Sequence, residues 1–125
     1  MRLLLDTHAL LWWRSETKRF APETYEAISC GEHPVVVSHV TLWEIAIKNA
    51  LGKLDAPDNL LDLCANDGFE LLPVDLPHIE AVRQLPQLHR DPFDRMLVAQ
   101  ARVERLTLVT RDASMMRYDV KVMNA

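Results

Sequence analysis

Apolar residues along this chain fall into short unbroken runs and into spaced stripes, and the two patterns alternate. The runs are Leu3-Leu4-Leu5, Val35-Val36-Val37, and the stretches 69–74, 106–109 and 118–123. A short run without alternation is the pattern of a strand buried on both faces, as in a parallel sheet. Between the runs, apolar residues recur three or four apart. Trp43, Ala46, Ile47 and Ala50 are the clearest case, and their spacing is that of one helix face. Prolines and glycines punctuate these stretches as expected. Pro22 opens a helix over 22–29 that Gly31 ends, Gly52 stops the helix over 43–50, and Gly68 stops one over 57–66. Further helices are predicted over 9–13, 76–84 and 91–105, with a short turn or helix over 113–116, while 15–20, 38–41 and 86–90 read as loops and turns. Pro73 interrupts the third strand, which suits a sheet edge. Strands alternating with helices predict an α/β fold with a central, mainly parallel sheet of four to five strands covered on both faces. No repeat or linker divides the chain, so residues 1–125 are expected to form one domain.

Charge sharpens this picture. The chain carries 18 acids and 14 bases, a net charge of −4, which does not advertise a phosphate-binding surface. Setting four particular carboxylates aside leaves 14 charges of each sign, so the excess is expected to be concentrated in one pocket. Cys30 and Cys64 have no C-x-x-C spacing and read as small buried hydrophobes in a reducing cytosol. Asp6 interrupts the N-terminal apolar run and no basic segment precedes it, so neither a secretory signal nor a membrane span is expected.

The four carboxylates are Asp6, Glu44, Asp94 and Asp112. Asp6 ends the first strand, where α/β sheets present ligand sites. Glu44 is expected in the first turn of the helix after the second strand, and Asp112 just after the fourth strand. Parallel strands would bring these three to one sheet edge. Asp94 precedes its strand, so its helix must start at that edge to join them. Each acid has a plainer reading. Thr41-Leu42-Trp43-Glu44 fits a capping box, Glu44 and Lys48 an i,i+4 pair, and Asp112 a cap. Asp91 reads as the cap before Pro92, with Asp94 in the first turn. Crowded together, however, four carboxylates repel unless a cation joins them. Oxygen-rich sites of this kind suit Mg²⁺ or Mn²⁺, which activate water and stabilise charge in phosphodiester hydrolysis.

Leu4-Leu5-Asp6-Thr7-His8, the segment 38–48 (SHVTLWEIAIK) with 51–54 (LGKL), the segment 89–101 (HRDPFDRMLVAQA) and 108–112 (LVTRD) together resemble the PIN-domain ribonucleases, and more closely the VapC-type toxins of toxin–antitoxin pairs. The resemblance runs nearly end to end. It implies a PIN-like α/β/α sandwich, an acidic cluster of Asp6, Glu44, Asp94 and Asp112 binding Mg²⁺ or Mn²⁺, and cleavage of RNA. It also implies a cytoplasmic homodimer held inactive by a cognate antitoxin, whose peptide can offer an Arg to the acidic pocket. Ser38 and Thr110 are candidate hydroxyls for orienting carboxylates or water. Asp91 belongs to the D-P-F-D form of the motif but is assigned mainly the cap.

His8, His39 and His89 lie near the motifs and are left out of the site, since an oxygen-rich metal site needs no imidazole. Arg90, Arg95 and Lys48 are candidates for phosphate contact or for simple pairing. Trp12, Trp13 and Trp43 read as core or interface residues before base-stacking ones. Two other functions are compatible with an acid-pocket α/β chain. A phosphatase or phosphoacceptor domain would want a second acid where His8 stands or beside Asp6; a non-catalytic binding module would carry these acids as caps and surface charges.

Overall fold

The structure is a computed structural model and describes residues 1–125. Its five strands are β1 (Leu3–Leu5), β2 (Val35–Ser38), β3 (Glu70–Leu72), β4 (Thr107–Thr110) and β5 (Val122–Asn124). They pair in the order β3-β2-β1-β4-β5, and every pairing is parallel. Seven helices accompany them: α1 (Thr7–Ser15), α2 (Pro22–Ser29), α3 (His39–Ala50), α4 (Leu60–Asn66), α5 (Leu76–Gln84), α6 (Pro92–Glu104) and α7 (Ala113–Met116). This is the expected α/β/α sandwich.

The alternation of side chains along the central strand builds both cores at once. Leu3 and Leu5 join Val35, Val37 and Val109 in a cluster closed by Leu10 of α1, Ile28 of α2 and Cys64 of α4. Leu4 points the other way and joins Val36 and Leu108 against Leu97, Val98 and Ala101 of α6. All three leucines of β1 are fully buried, as an unbroken apolar run requires when helices cover both faces. The strand interrupted by Pro73 does lie at a sheet edge, with the proline just beyond its last residue.

Two boundaries differ from the sequence reading, for one physical reason. A side chain at the end of the strand or directly after it caps the following helix, which therefore starts at once. Asp6 accepts the Ala9 N–H at 2.8 Å, and α1 starts at Thr7 and not at 9. Ser38 accepts the Val40 N–H at 3.0 Å, and α3 starts at His39 and not at Trp43. Asp112 likewise caps α7, accepting the Ser114 N–H at 2.7 Å, and that helix spans 113–116 as the sequence predicts. The capping box assigned to Thr41 and Glu44 is therefore wrong: both sit inside α3 and are buried. Further differences are smaller. A short 3-10 turn occupies Thr17–Arg19 within the expected loop, and α4 begins three residues after Pro57. Cys64 is buried as expected, but Cys30 is exposed, standing at the C-cap of α2.

Ser38 was a candidate for orienting a carboxylate or water, and its hydroxyl bonds to no carboxylate. It donates to Gln100 Oε1 at 2.6 Å while capping α3. Gln100 is fully buried and also donates to the Pro73 carbonyl at 3.2 Å, which ties α6 to the β2–β3 edge. Ser38→Ala removes the cap and leaves a buried amide oxygen unpaired. The expected loss is about 2–3 kcal/mol of stability, read by chemical denaturation, with affinity for Mn²⁺ unchanged.

Candidate metal centre

The acids converge beyond the carboxyl ends of β1 and β4. Asp6, almost fully buried, is held from two sides: its Oδ1 takes the Ala9 N–H, and its Oδ2 accepts the Thr110 hydroxyl at 2.6 Å. Thr110 Oγ1 in turn accepts the Asp112 N–H at 3.0 Å. One buried threonine therefore fixes the spacing between the acid ending β1 and the acid following β4. This is possible because Leu5 pairs with Val109, so the two strands end in register.

Asp94 reaches the same place from α6. Asp91 caps that helix, accepting the Phe93 and Asp94 N–H groups at 2.8 and 3.2 Å, and Pro92 fills the first position. The first turn then faces the sheet edge, which satisfies the condition that Asp94 needed. His89 joins the two clusters: its Nε2 lies 3.0 Å from Asp94 Oδ2 and 3.3 Å from Asp112 Oδ2. Its Nδ1 accepts the Asp91 N–H at 3.2 Å, so the ring proton sits on Nε2 and is shared between the two carboxylates. Ligand atoms of His89, Asp94 and Asp112 all lie within 4.8 Å of one another.

Glu44 stands one layer back. It is buried on α3, accepts the Thr7 hydroxyl at 2.6 Å on Oε1, and takes the Lys48 ammonium on Oε2. That bond, before anything else, raises the Lys48 pKa. Glu44 still contributes to the local field. Asp94 is pushed up to about 7, first by burial and then by the charges of Asp91 and Glu44. Burial also raises Asp6, against the pull of the Thr110 and Ala9 hydrogen bonds.

The donor set fits a hard divalent cation. It is carboxylate oxygen with at most one imidazole, and the Oδ2 atoms of Asp94 and Asp112 share a single hydrogen-bond donor, leaving lone pairs without partners. A cation among them removes the repulsion that keeps Asp94 protonated near neutrality. This has a stability consequence. A carboxylate whose folded pKa is raised binds its proton more tightly when folded than when unfolded. Its contribution is fully present below the unfolded value of about 3.8 and is lost as pH rises to about 7. Melting in chelator is expected to show wild type losing stability relative to Asp94→Asn as pH goes from 5 to 8. Mn²⁺ is expected to stabilise wild type more at pH 8 than at pH 5.

His89 is the site residue that the sequence reading missed. A signal was present in His89-Arg90-Asp91, because the loop before a capped helix places the ring over the first turn. Arg95 moves the other way. It is buried and far from solvent phosphate, donating to Pro86 and Val82 carbonyls and to the Tyr118 hydroxyl at 3.0, 3.3 and 3.1 Å. Arg90 remains exposed. Trp12 and Trp13 are half-buried against Phe20, whereas Trp43 is 61% exposed and rests edge-on against Phe93.

The chain resembles several solved structures over nearly its whole length. VapBC2 from Rickettsia felis, bound to a DNA fragment from its promoter, matches with a TM-score of 0.75 and 16% identity, covering 100% of this chain and 99% of that one. FitAcB from Neisseria gonorrhoeae matches at 0.63 with 22% identity, covering 98% and 96%. DNA-bound VapBC from Salmonella typhimurium matches at 0.66 with 18% identity, covering 98% and 97%. These identities speak to the fold. No curated protein matches the sequence. The family model for the PIN domain matches residues 3–121, and the chain therefore belongs to the PIN domain family, a family of nucleases.

Proposed function

We propose that this protein is a metal-dependent endoribonuclease and the toxin of a VapC-type toxin–antitoxin pair, formed by residues 1–125 as one domain. The observation that carries the reading is the meeting of Asp94 and Asp112 across His89, with Asp6 tied to Asp112 through Thr110. Asp6, Asp94 and Asp112 would hold Mg²⁺ or Mn²⁺. Such an ion supplies a nucleophilic water at neutral pH and stabilises the charge that grows on the phosphate.

The chain's own residues do the positioning. Thr110 fixes Asp6, and the caps on α6 and α7 fix the backbones of Asp94 and Asp112. Glu44, paired with the Lys48 ammonium on one oxygen and accepting the Thr7 hydroxyl on the other, is placed to hold water at the edge of the site and not to bind the ion directly. Exposed Arg90 adjoins the site and offers a charge to the substrate backbone, which a pocket of acids otherwise repels. In the reaction a P–O bond forms to water, the P–O bond to the departing nucleotide breaks, and that oxygen takes a proton.

The similar structures from Rickettsia felis and Salmonella typhimurium are VapBC assemblies, which supports an antitoxin as partner, and a homodimer suits the same reading. A cytoplasmic setting is compatible with a chain in which no helix is long and apolar enough to cross a membrane. Incubating the purified protein with total RNA tests the function. Cleavage is expected with Mn²⁺ or Mg²⁺ and none with chelator; equal cleavage in both would exclude the proposal.

A further inference from the structure

A second group of metal-binding side chains lies away from the acids. Cys30, Glu32 and His33 occupy the turn between α2 and β2, and their sulfur, carboxylate and ring nitrogen atoms all lie within 4.8 Å of one another. The acidic centre sits beyond the carboxyl ends of the strands. This turn leads into the start of β2, and because the sheet is fully parallel it belongs to the opposite edge.

Independent features mark the turn as a cation site. His33 Nδ1 is shielded from solvent and bonded to nothing, and a buried ring nitrogen left unpaired is costly. The last turn of α2 carries no basic residue of its own to complement the helix dipole. Cys30 Sγ makes only a weak thiol hydrogen bond, to the Ala27 carbonyl at 3.5 Å. Gly31, at φ +78°, makes the reversal that brings residues 30, 32 and 33 together, a conformation costly for any other residue.

We propose that this turn binds a borderline divalent transition metal, Zn²⁺ by preference, through Cys30 Sγ, a His33 ring nitrogen and a Glu32 oxygen, with water completing four-coordination. Bonds of about 2.3 Å to sulfur and 2.0–2.2 Å to nitrogen and oxygen put tetrahedral ligands roughly 3.5 Å apart. Separations of no more than 4.8 Å therefore close by at most about 1.3 Å to reach that spacing. The thiol loses its proton to solvent and the sulfur bonds the metal, with no change of oxidation state. Ligand softness separates the two centres. Thiolate and imidazole select zinc here, whereas carboxylates select Mg²⁺ or Mn²⁺ at the other edge.

Cobalt(II) titration of the full chain tests this, because a thiolate ligand gives a charge-transfer band in the near ultraviolet that oxygen and nitrogen ligands do not. The acidic centre contains no sulfur, and Cys64 is fully buried. A band is expected at one equivalent of cobalt, displaced by Zn²⁺, absent in Cys30→Ser and unchanged in Asp94→Asn. His33→Ala is expected to weaken zinc affinity more than tenfold, since even outer partners of metal ligands carry about 10- to 100-fold. Zn²⁺ is also expected to raise the melting temperature of Asp94→Asn but not that of a Cys30→Ser, Asp94→Asn double variant. No charge-transfer band in wild type, or a band that survives Cys30→Ser, would overturn the proposal. So would cobalt binding that disappears only in Asp94→Asn.

Discussion

Asp94→Asn is expected to reduce RNA cleavage on the order of a thousandfold while making the metal-free protein more stable at pH 8. The first effect follows from the role proposed for the carboxylate. A cation held at the phosphate is worth several kcal/mol in the transition state, and about 1.4 kcal/mol corresponds to tenfold in rate. The second effect has a separate origin. Asp94 is the acid whose pKa rises to about 7, because burial and the neighbouring Asp91 and Glu44 charges oppose its ionisation. An amide of the same shape removes that repulsion and can still accept the His89 proton. Gain of stability with loss of activity is the signature of a site held in an unfavourable arrangement for its chemistry. A merely structural Asp94 would lose stability in the same variant. Cleavage assays and denaturation of one preparation read both effects.

Arg95→Ala is expected to destabilise the protein by about 3–5 kcal/mol, the largest loss for any charged residue here. Its guanidinium donates to the Val82 carbonyl and, at 3.5 Å, to the Leu85 carbonyl, the last turn and cap of α5. A cation at a helix C-terminus also complements the dipole. The same group donates to the Pro86 carbonyl and the Tyr118 hydroxyl, and Tyr118 accepts the Leu88 and His89 N–H groups at 3.2 and 3.0 Å. Truncation leaves several buried acceptors unpaired and loosens the loop carrying His89. Arg95→Lys keeps the charge but cannot span this set of acceptors, so about half the loss is expected to remain. Denaturant midpoints measure both, and a change under 1 kcal/mol for Arg95→Ala would contradict the assignment.

Much of the fold was legible because burial writes itself into the strands. Leu3-Leu4-Leu5 and Val35-Val36-Val37 are apolar on both faces, and such a run permits few architectures besides a covered parallel sheet. Glycine and proline fixed the helix ends at Gly31, Gly52 and Gly68. Helix starts were harder to see. A cap supplied at a strand's last residue or directly after it leaves no loop to read, so Asp6 and Ser38 concealed the starts of α1 and α3. Glu44 was consequently assigned to a first turn it does not occupy.

The candidate centre was legible as four acids but not as a geometry. Sequence spacing shows that Asp94 opens a helix; only the structure shows that this helix begins at the strand edge. His89 and Arg95 illustrate the limit. Both flank Asp94 within six residues, and nothing in the one-dimensional pattern says that the ring faces the carboxylates while the guanidinium turns into the core. That difference is set by Tyr118, which lies 23 residues from Arg95 and 29 from His89 and contacts both segments.

Manganese placed by anomalous scattering in crystals of the protein would examine the metal-site proposal at its source. A peak within bonding distance of Asp94 and Asp112, on the side where Asp6 is held by Thr110, is the predicted result. Manganese bound anywhere else, with those three carboxylates free of it at saturating concentration, would contradict the account.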